Sequence, residues 1–262
     1  MKRFLSASLA ATAIAALMLA AGPATSAQPG DLKITWIDVE GGASTLFVSP
    51  TGESLLFDTG NPGNGDRDAK RIFAAAQKAG LTKIDHLVIS HWHGDHVGGL
   101  EALSKMIPIG HFYDHGDGVE TADKARHDLY VKIAGANRTI LKAGDTIPLG
   151  GVQVRVLVSE GPVIANPING GGPNPLCANA PLQAPAAPEN IRMVGLSITY
   201  NTFKFAGLSD SDCYEEGRSV VDDSPFRCAV TAGSGASASS RSSSGFSAKN
   251  FSSSWFNSRV ES

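Results

Sequence analysis

The feature that most constrains this chain is a group of potential metal ligands between an apolar run and a glycine pair. Residues 84–89 (IDHLVI) predict a short buried strand, and Val97-Gly98-Gly99 leads into a helical pattern. The segment between them, SHWHGDH, holds four cation-binding side chains: His91, His93, Asp95 and His96. A turn fixed by structure on both sides directs its side chains into one pocket, so we expect these four to converge.

The chemistry of these side chains indicates zinc, which imidazole nitrogens and carboxylate oxygens bind well. The His-x-His spacing places His91 and His93 on one side of an extended segment. Gly94 allows a tight turn that carries Asp95 and His96 toward a second ion. Three of the 7 histidines of the chain lie within residues 91–96. A chance cluster on a surface loop does not explain this concentration. The segment therefore predicts a site for one or two zinc ions.

The apolar pattern of the rest of the chain indicates an α/β fold. Strands are predicted at 32–39, 44–49, 53–57, 84–89, 110–113, within 145–158, at 193–200 and at 203–206. Helices are predicted at 66–79, 100–107 and 119–135. A hydrophobic fraction of 42% and a charged fraction of 18% exclude a wholly disordered chain and a coiled coil. The order of elements favours helices that cover packed sheets.

The first 27 residues have the pattern of a secretory signal peptide. Lys2 and Arg3 precede an Ala/Leu-rich run, and Thr25-Ser26-Ala27 supplies the small residues that signal peptidase needs. A membrane anchor is the alternative, but the run is shorter than the ~20 residues of a span. Cleavage would remove two cations from a chain of net charge −3, leaving −5. We expect a periplasmic or secreted protein with no stable nucleic-acid partner.

The remainder divides into a domain, residues 28–212, and a tail, residues 213–262. Ser makes up 13 of the 29 residues from Ser234 onward, a composition that buries too little apolar surface to fold. A reading-frame shift or a truncation near Ser211 is one explanation, and a genuine disordered appendage is the other. An exported chain can form disulfides, and one pair is expected with its partners left open among Cys177, Cys213 and Cys228.

Three motifs together resemble the metallo-β-lactamase-fold superfamily of metallohydrolases, from about Leu32 to Asp210. They are the opening ITWIDVEGGASTLFVSPTGESLLFDTG, the metal motif SHWHGDHVGG and the strand-like FKFAGLSD. The opening, and the lack of a late histidine, are most similar to the branch that contains the hydrolase domain of the DNA-uptake competence protein. The resemblance implies an αββα sandwich with metals at the rim between two sheets, incomplete at its carboxyl terminus.

The resemblance also implies roles for the motif residues. The implied ligands are His91 and His93 for a first metal, Asp95 and His96 for a second, and Asp210 as a bridge between them. Asp212 competes with Asp210 but is less well spaced from the preceding strand. Asp58 would support the motif turn from behind, or would serve only as a turn residue.

Two histidines that the superfamily usually has are missing, one before the bridging aspartate and one near the carboxyl terminus. His127 is the last histidine of this chain. Glu189, Asn190 and His115 are the residues that could replace the first. His115 has two interpretations, and the sequence favours neither. It is either a functional residue, as a pocket residue or a replacement ligand, or a solvated loop residue.

The resemblance implies zinc-dependent hydrolysis. Zinc lowers the pKa of bound water to roughly 7, and Asp95 would orient the nucleophile. The scissile bond would be a phosphodiester, thioester, lactone or β-lactam, with a slight preference for phosphodiesters. The alternative is an inactive or truncated relative that binds at most one metal. A secreted binding module is a weaker third hypothesis, because it leaves the histidine cluster unexplained.

Overall fold

The computed structural model describes residues 30–166, 168 and 187–210, which form two β-sheets and four α-helices. The strands are β1 (Lys33–Trp36), β2 (Thr45–Val48), β3 (Ser54–Phe57), β4 (Ile84–Val88), β5 (Ile109–Asp114), β6 (Arg138–Ile140), β7 (Thr146–Ile147), β8 (Gln153–Val158), β9 (Gly195–Tyr200) and β10 (Phe203–Gly207). The helices are α1 (Arg67–Lys78), α2 (Gly94–Val97), α3 (Leu100–Ser104) and α4 (Lys124–Ala134).

Several predicted features lie outside the described residues. They are the signal peptide at 1–27, Asp212, the tail at 213–262, and Cys177, Cys213 and Cys228. Among the described residues, no helix has the length and apolar character that a transmembrane span requires.

The larger sheet has the strand order β1-β2-β3-β4-β5-β6. Its first three strands are antiparallel, and β3 to β6 are parallel. A short turn suffices between β2 and β3, whereas each parallel step needs a crossover, which α1, then α2 with α3, and then α4 supply. The carboxyl ends of β3, β4 and β5 therefore lie at one edge of the sheet. The smaller, antiparallel sheet has the order β10-β9-β8-β7.

A separate hydrophobic core lies on each face of the larger sheet. On the outer face, Ile72 and Ala76 of α1 and Leu103 of α3 belong to one cluster with Leu87 of β4. Between the sheets, a second cluster joins Phe47 and Val88 to side chains of the smaller sheet, namely Val154, Val156, Leu196 and Ile198. The predicted α/β class is confirmed. The α-helices of the described residues all precede the smaller sheet in the chain, so these residues contain three of the four predicted layers.

The element predictions agree with the structure except at element ends and at one strand. The strand predicted at 32–39 ends at Trp36, because the chain then turns through Glu40, whose φ of 52° is left-handed. The helix predicted at 119–135 begins with a 3₁₀ turn, Thr121–Asp123, before α4. The helix predicted at 100–107 ends at Ser104. Strand β6 was not predicted, since two of its three residues are exposed and show no apolar alternation.

Candidate metal centre

The metal motif lies where the carboxyl ends of three parallel strands meet the end of β10. Asp58 follows β3, the motif from Ser90 onward follows β4, and His115 follows β5. Asp210 lies three residues after β10. Segments far apart in the sequence are thus brought to one rim between the two sheets.

Glycines allow the motif turn to pack directly on neighbouring backbone. A Cβ atom on Gly99 would lie 2.1 Å from the carbonyl oxygen of Thr59, and one on Gly42 would lie 2.1 Å from that of Asp95. Thr59 N also donates a hydrogen bond to the carbonyl oxygen of His96 at 2.6 Å. The glycine pair of the motif therefore brings the helix start against the Asp58-Thr59-Gly60 turn.

The alternation of the His-Trp-His segment directs two imidazoles to the rim and an indole into the core. Trp92 is fully buried in the hydrophobic cluster between the larger sheet and its helices. Its Nε1 donates a hydrogen bond to the carbonyl oxygen of Gly116 at 3.0 Å. His91 Nε2 and His93 Nδ1 face each other at 3.0 Å. Two ring nitrogens at this separation are positioned to share one cation, as the spacing predicts.

The carboxylate of Asp210 lies between His91 and His96. Its Oδ1 is 3.3 Å from His96 Nε2, and its Oδ2 is 4.0 Å from His91 Nε2. Asp95 Oδ2 is 3.7 Å from His96 Nε2, and the Asp95 side chain is 37% exposed. The structure thus brings all five predicted ligands together, with Asp210 between the two pairs that the resemblance implies.

Asp58 holds the motif from behind through three hydrogen bonds. Its fully buried carboxylate accepts from Ser90 N and Ser90 Oγ, both at 2.7 Å, and pairs with His96 Nδ1 at 2.9 Å. Asp58 is also a turn residue, with a left-handed φ of 65°. Asp58 is therefore both a turn residue and a support of the motif. Its contact with Nδ1 of His96 directs Nε2 of the same ring toward the rim.

Two serines extend this network and were not singled out in the sequence. Ser90 Oγ lies 3.0 Å from His91 Nδ1, and Ser209 Oγ donates to Ser90 Oγ at 2.8 Å. Since Ser90 donates its hydroxyl proton to Asp58, its oxygen is free to accept from the ring of His91. Ser209 precedes Asp210 and ties the end of β10 to the motif.

Burial and charge separate the protonation states of His91 and His96 in the metal-free protein. Burial, with the nearby charge of His96, lowers the pKa of His91 to about 2. Burial also opposes the charged form of His96, but the carboxylates of Asp58 and Asp210 outweigh it and raise the pKa of His96 to about 10. The contact with His96 lowers the pKa of Asp210. A cation that binds His96 must therefore displace a proton.

These donors fit a zinc ion. His96 Nε2 is buried and has no hydrogen-bond partner among the described residues. One donor atom from each of His91, His96 and Asp210 lies within 4.8 Å of the others. Such a set of imidazole nitrogens and carboxylate oxygens is one that zinc takes, with His93 and Asp95 adjacent.

A second group of potential ligands faces the other side of His93. Its Nε2 lies 3.5 Å from Glu120 Oε2 and 3.9 Å from Asp123 Oδ2. Asp123 is 4% exposed, and burial raises the pKa of its carboxyl group. Neither Glu120 nor Asp123 was predicted as a site residue, because acidic residues often precede a helix without binding a ligand. The only local signal was that the two acids are three residues apart, directly before α4.

His115 and Glu189 form a buried pair behind the motif. Both side chains have 0% exposure, and His115 Nε2 lies 2.9 Å from Glu189 Oε1. Glu189 also accepts hydrogen bonds from Trp92 N at 3.3 Å and from Val119 N at 2.9 Å. The solvated-loop interpretation of His115 is therefore wrong, because its side chain is fully buried against Glu189.

None of the proposed replacement ligands joins the metal group. His115, Glu189 and Asn190 belong to neither set of clustered donor atoms in the described part of the chain. The Glu189 carboxylate is directed to backbone groups and to His115 instead. His115 is thus a buried partner of Glu189, and neither it, Glu189 nor Asn190 takes the place of the missing histidine.

Comparison with known proteins gives a family and several partial relatives. A family model of the metallo-β-lactamase superfamily matches residues 37–175. A hydroxyacylglutathione hydrolase of Rhodopseudomonas palustris (strain HaA2) is 34% identical over 36% of this chain and 31% of its own length. The atrochrysone carboxyl ACP thioesterase dmxR1 of Cryptosporiopsis sp. (strain 8999) is 33% identical over 28% of this chain and 23% of its own length. The matched segment thus spans at most about a third of either relative.

One solved structure to which the chain is similar belongs to a Bacillus protein. The metallo-β-lactamase fold protein YhfI from Bacillus subtilis is 18% identical, with a TM-score of 0.43, and the match covers 69% of this chain and 63% of YhfI. The narrower likeness to the competence-protein branch stays a prediction. The family model covers more than half of the chain, including the strand-to-helix turn with its histidines, and the chain belongs to the metallo-β-lactamase superfamily.

Proposed function

We propose that this protein is a zinc-dependent hydrolase that cleaves a phosphodiester, ester or lactam-type bond. The observation that carries the proposal is the convergence of His91, His96 and Asp210, whose donor atoms lie within 4.8 Å of one another at the rim. Membership of a superfamily of metallohydrolases supports the reaction class.

The ligands divide between two ions in this proposal. His91 and His93 would hold the first ion and Asp95 and His96 the second, with Asp210 as a ligand available to either. Zinc, when bound, supplies Lewis acidity and lowers the pKa of a water molecule to roughly 7. The Asp95 carboxylate, 37% exposed beside His96, is the group that would accept a hydrogen bond from the nucleophilic water and orient it. Asp58 and Ser90 keep the imidazoles of His96 and His91 aimed at the rim.

The substrate class follows from the relatives only in outline. One of the partial relatives is a thioesterase by name, which makes a thioester a substrate to test beside phosphodiesters, lactones and β-lactams. All four bonds develop negative charge on oxygen during hydrolysis, and cationic ligands stabilise such charge. A substrate panel is therefore part of the test of function.

An inactive relative that binds at most one ion is the second candidate. It is favoured by the ligand count, because no fourth histidine joins the donor groups of the described residues. Zinc sites that act in catalysis usually have three protein ligands and an open position. With two ions bound, Asp210 would have to be a ligand of both. Metal content and turnover are the measurements that distinguish the hydrolase from the inactive relative.

The test is metal analysis of the purified full chain, followed by assay of the four substrate types. We expect between one and two zinc ions per chain and hydrolysis of at least one substrate. The variant His93→Ala should lose most of both, because a site short of ligands cannot lose another. The control His111→Ala removes an imidazole that contacts Thr139 outside the site, and it should retain both. A parent protein with no more zinc than His93→Ala contradicts the proposal, and zinc without turnover favours the inactive relative.

A further inference from the structure

We propose that Glu120 and Asp123 are positioning residues that fix the ring of His93, with its proton on Nε2 and its Nδ1 lone pair aimed at the first metal. This inference rests on the proposed function and adds to it two residues that the motif does not contain. It concerns the side of His93 that faces away from His91.

The geometry of the His93 ring supports this assignment. Its Nδ1 faces His91 Nε2 at 3.0 Å. Its Nε2 faces Glu120 Oε2 at 3.5 Å and Asp123 Oδ2 at 3.9 Å. Ionised carboxylates can only accept hydrogen bonds, so they favour the tautomer with the proton on Nε2. Nδ1 is then unprotonated, which is the state that a metal requires of an imidazole.

The Asp123 carboxylate is prepared for this contact by its surroundings. Asp123 is 4% exposed, and its Oδ2 is buried without a hydrogen-bond partner among the described residues. Its Oδ1 pairs with the guanidinium group of Arg126. An unpaired buried carboxylate oxygen is costly, and the nearby Nε2 of His93 is the group that can offset this cost by a small movement of either ring or carboxylate.

The two carboxylates and the Arg126 guanidinium group come from one short segment of the chain. Glu120, Asp123 and Arg126 are spaced by three residues across the 3₁₀ turn and the start of α4. The guanidinium group of Arg126 lies over Gly94, 3.1 Å from the position that a Cβ atom there would take. Glu120 Oε1 accepts a hydrogen bond from Glu189 N at 3.2 Å. The carboxylates are therefore fixed to the motif turn on one side and to the chain near Glu189 on the other.

A further cation between these carboxylates and His93 is the rival explanation of the same cluster. The charge of Arg126 argues against it, since that guanidinium group already pairs with the Asp123 carboxylate. A metal-binding histidine that donates its other N–H to a carboxylate is a common arrangement, and loss of the carboxylate typically weakens metal binding 10–100-fold. The expected magnitude is therefore a tenfold effect or more.

The experiment uses the full chain with Glu120→Gln, Asp123→Asn and the double variant. Glu101→Gln is the control, since Glu101 pairs with Lys105 on the surface of α3. The zinc dissociation constant is measured by competition with a chromophoric chelator. The tautomer of His93 in the metal-free protein is read from ring ¹⁵N chemical shifts. Both amides keep the side-chain shape but can donate a hydrogen bond, so they should shift the proton of His93 toward Nδ1.

We expect the double variant to bind zinc at least about tenfold more weakly than Glu101→Gln, with a larger Nδ1-protonated fraction of His93. A double variant that keeps the parental zinc affinity and the parental tautomer overturns this inference alone. Loss of one whole zinc ion per chain, with the first site still filled, overturns it in favour of a further cation. A parent that binds no zinc overturns the proposed function and this inference together.

Discussion

Replacement of Asp58 by Asn tests whether a buried carboxylate holds the metal motif. The change keeps the side-chain shape and removes the charge that faces His96 Nδ1 at 2.9 Å. It also places a donor NH₂ group where the carboxylate accepts from Ser90 N and Ser90 Oγ. We therefore expect both the metal-free fold and zinc binding to weaken.

The magnitude follows from the pKa of His96. In the folded, metal-free protein this pKa is raised from 6.5 to about 10. At about 1.4 kcal/mol per unit, the difference corresponds to roughly 5 kcal/mol as an upper limit. Asp58 and Asp210 share it, so loss of Asp58 should lower the free energy of unfolding by about 3 kcal/mol, in line with the cost of breaking buried ion pairs.

The sign of the pH dependence follows from the same shift. Since the pKa of His96 is higher in the folded state, the stabilisation is complete below pH 6.5 and is lost as the pH rises toward about 10. The parent protein should therefore lose stability over this interval. The Asp58→Asn variant should show a flatter profile, because its His96 titrates closer to the unfolded value.

The assay is urea unfolding of the full chain in the presence of a chelator, at several pH values across that interval. Asp38→Asn is the control, since its side chain is 56% exposed and its loss should change the free energy of unfolding by less than about 0.5 kcal/mol. The reasoning is refuted if Asp58→Asn matches the control at neutral pH and keeps the parental pH profile.

Two further substitutions test the packing around the site. Gly99→Ala should lower the free energy of unfolding by about 3 kcal/mol in urea titrations, because its Cβ would lie 2.1 Å from Thr59 O; a value near that of the surface change Ser104→Ala would contradict it. Arg138→Met should cost about 3–5 kcal/mol by the same measurement, because it removes the two hydrogen bonds of 2.7 and 2.8 Å that Arg138 donates to the fully buried Asp114. An effect no larger than that of Lys105→Met would show that Asp114 finds other partners.

Local pattern was sufficient for the fold class and for the four candidate ligands from His91 to His96, whereas Asp210 was implied only by the family resemblance. Zinc restricts ligands to a few residue types, and the strand-to-helix turn restricts their spacing to the run from His91 to His96. The hairpin of β2 and β3 and the helix α1 likewise follow from local apolar periodicity. The edge strand β6 was missed because it is held by the pairing of Arg138 with Asp114 rather than by apolar residues.

Apart from Asp58, which the resemblance implied, the supporting residues were not predicted in these roles, because their contacts join distant parts of the chain. Glu189 is 97 residues from Trp92, whose backbone it binds, and Ser209 is 119 residues from Ser90. Serine and glutamate occur throughout the chain, and no spacing marks the copies that meet the motif. A ligand is constrained by metal chemistry, whereas its support needs only a polar atom at the right place. The direction of each imidazole is therefore set by tertiary structure. In the proposed centre, Asp58 orients His96, and Glu120 and Asp123 orient His93, through contacts that the motif itself does not contain.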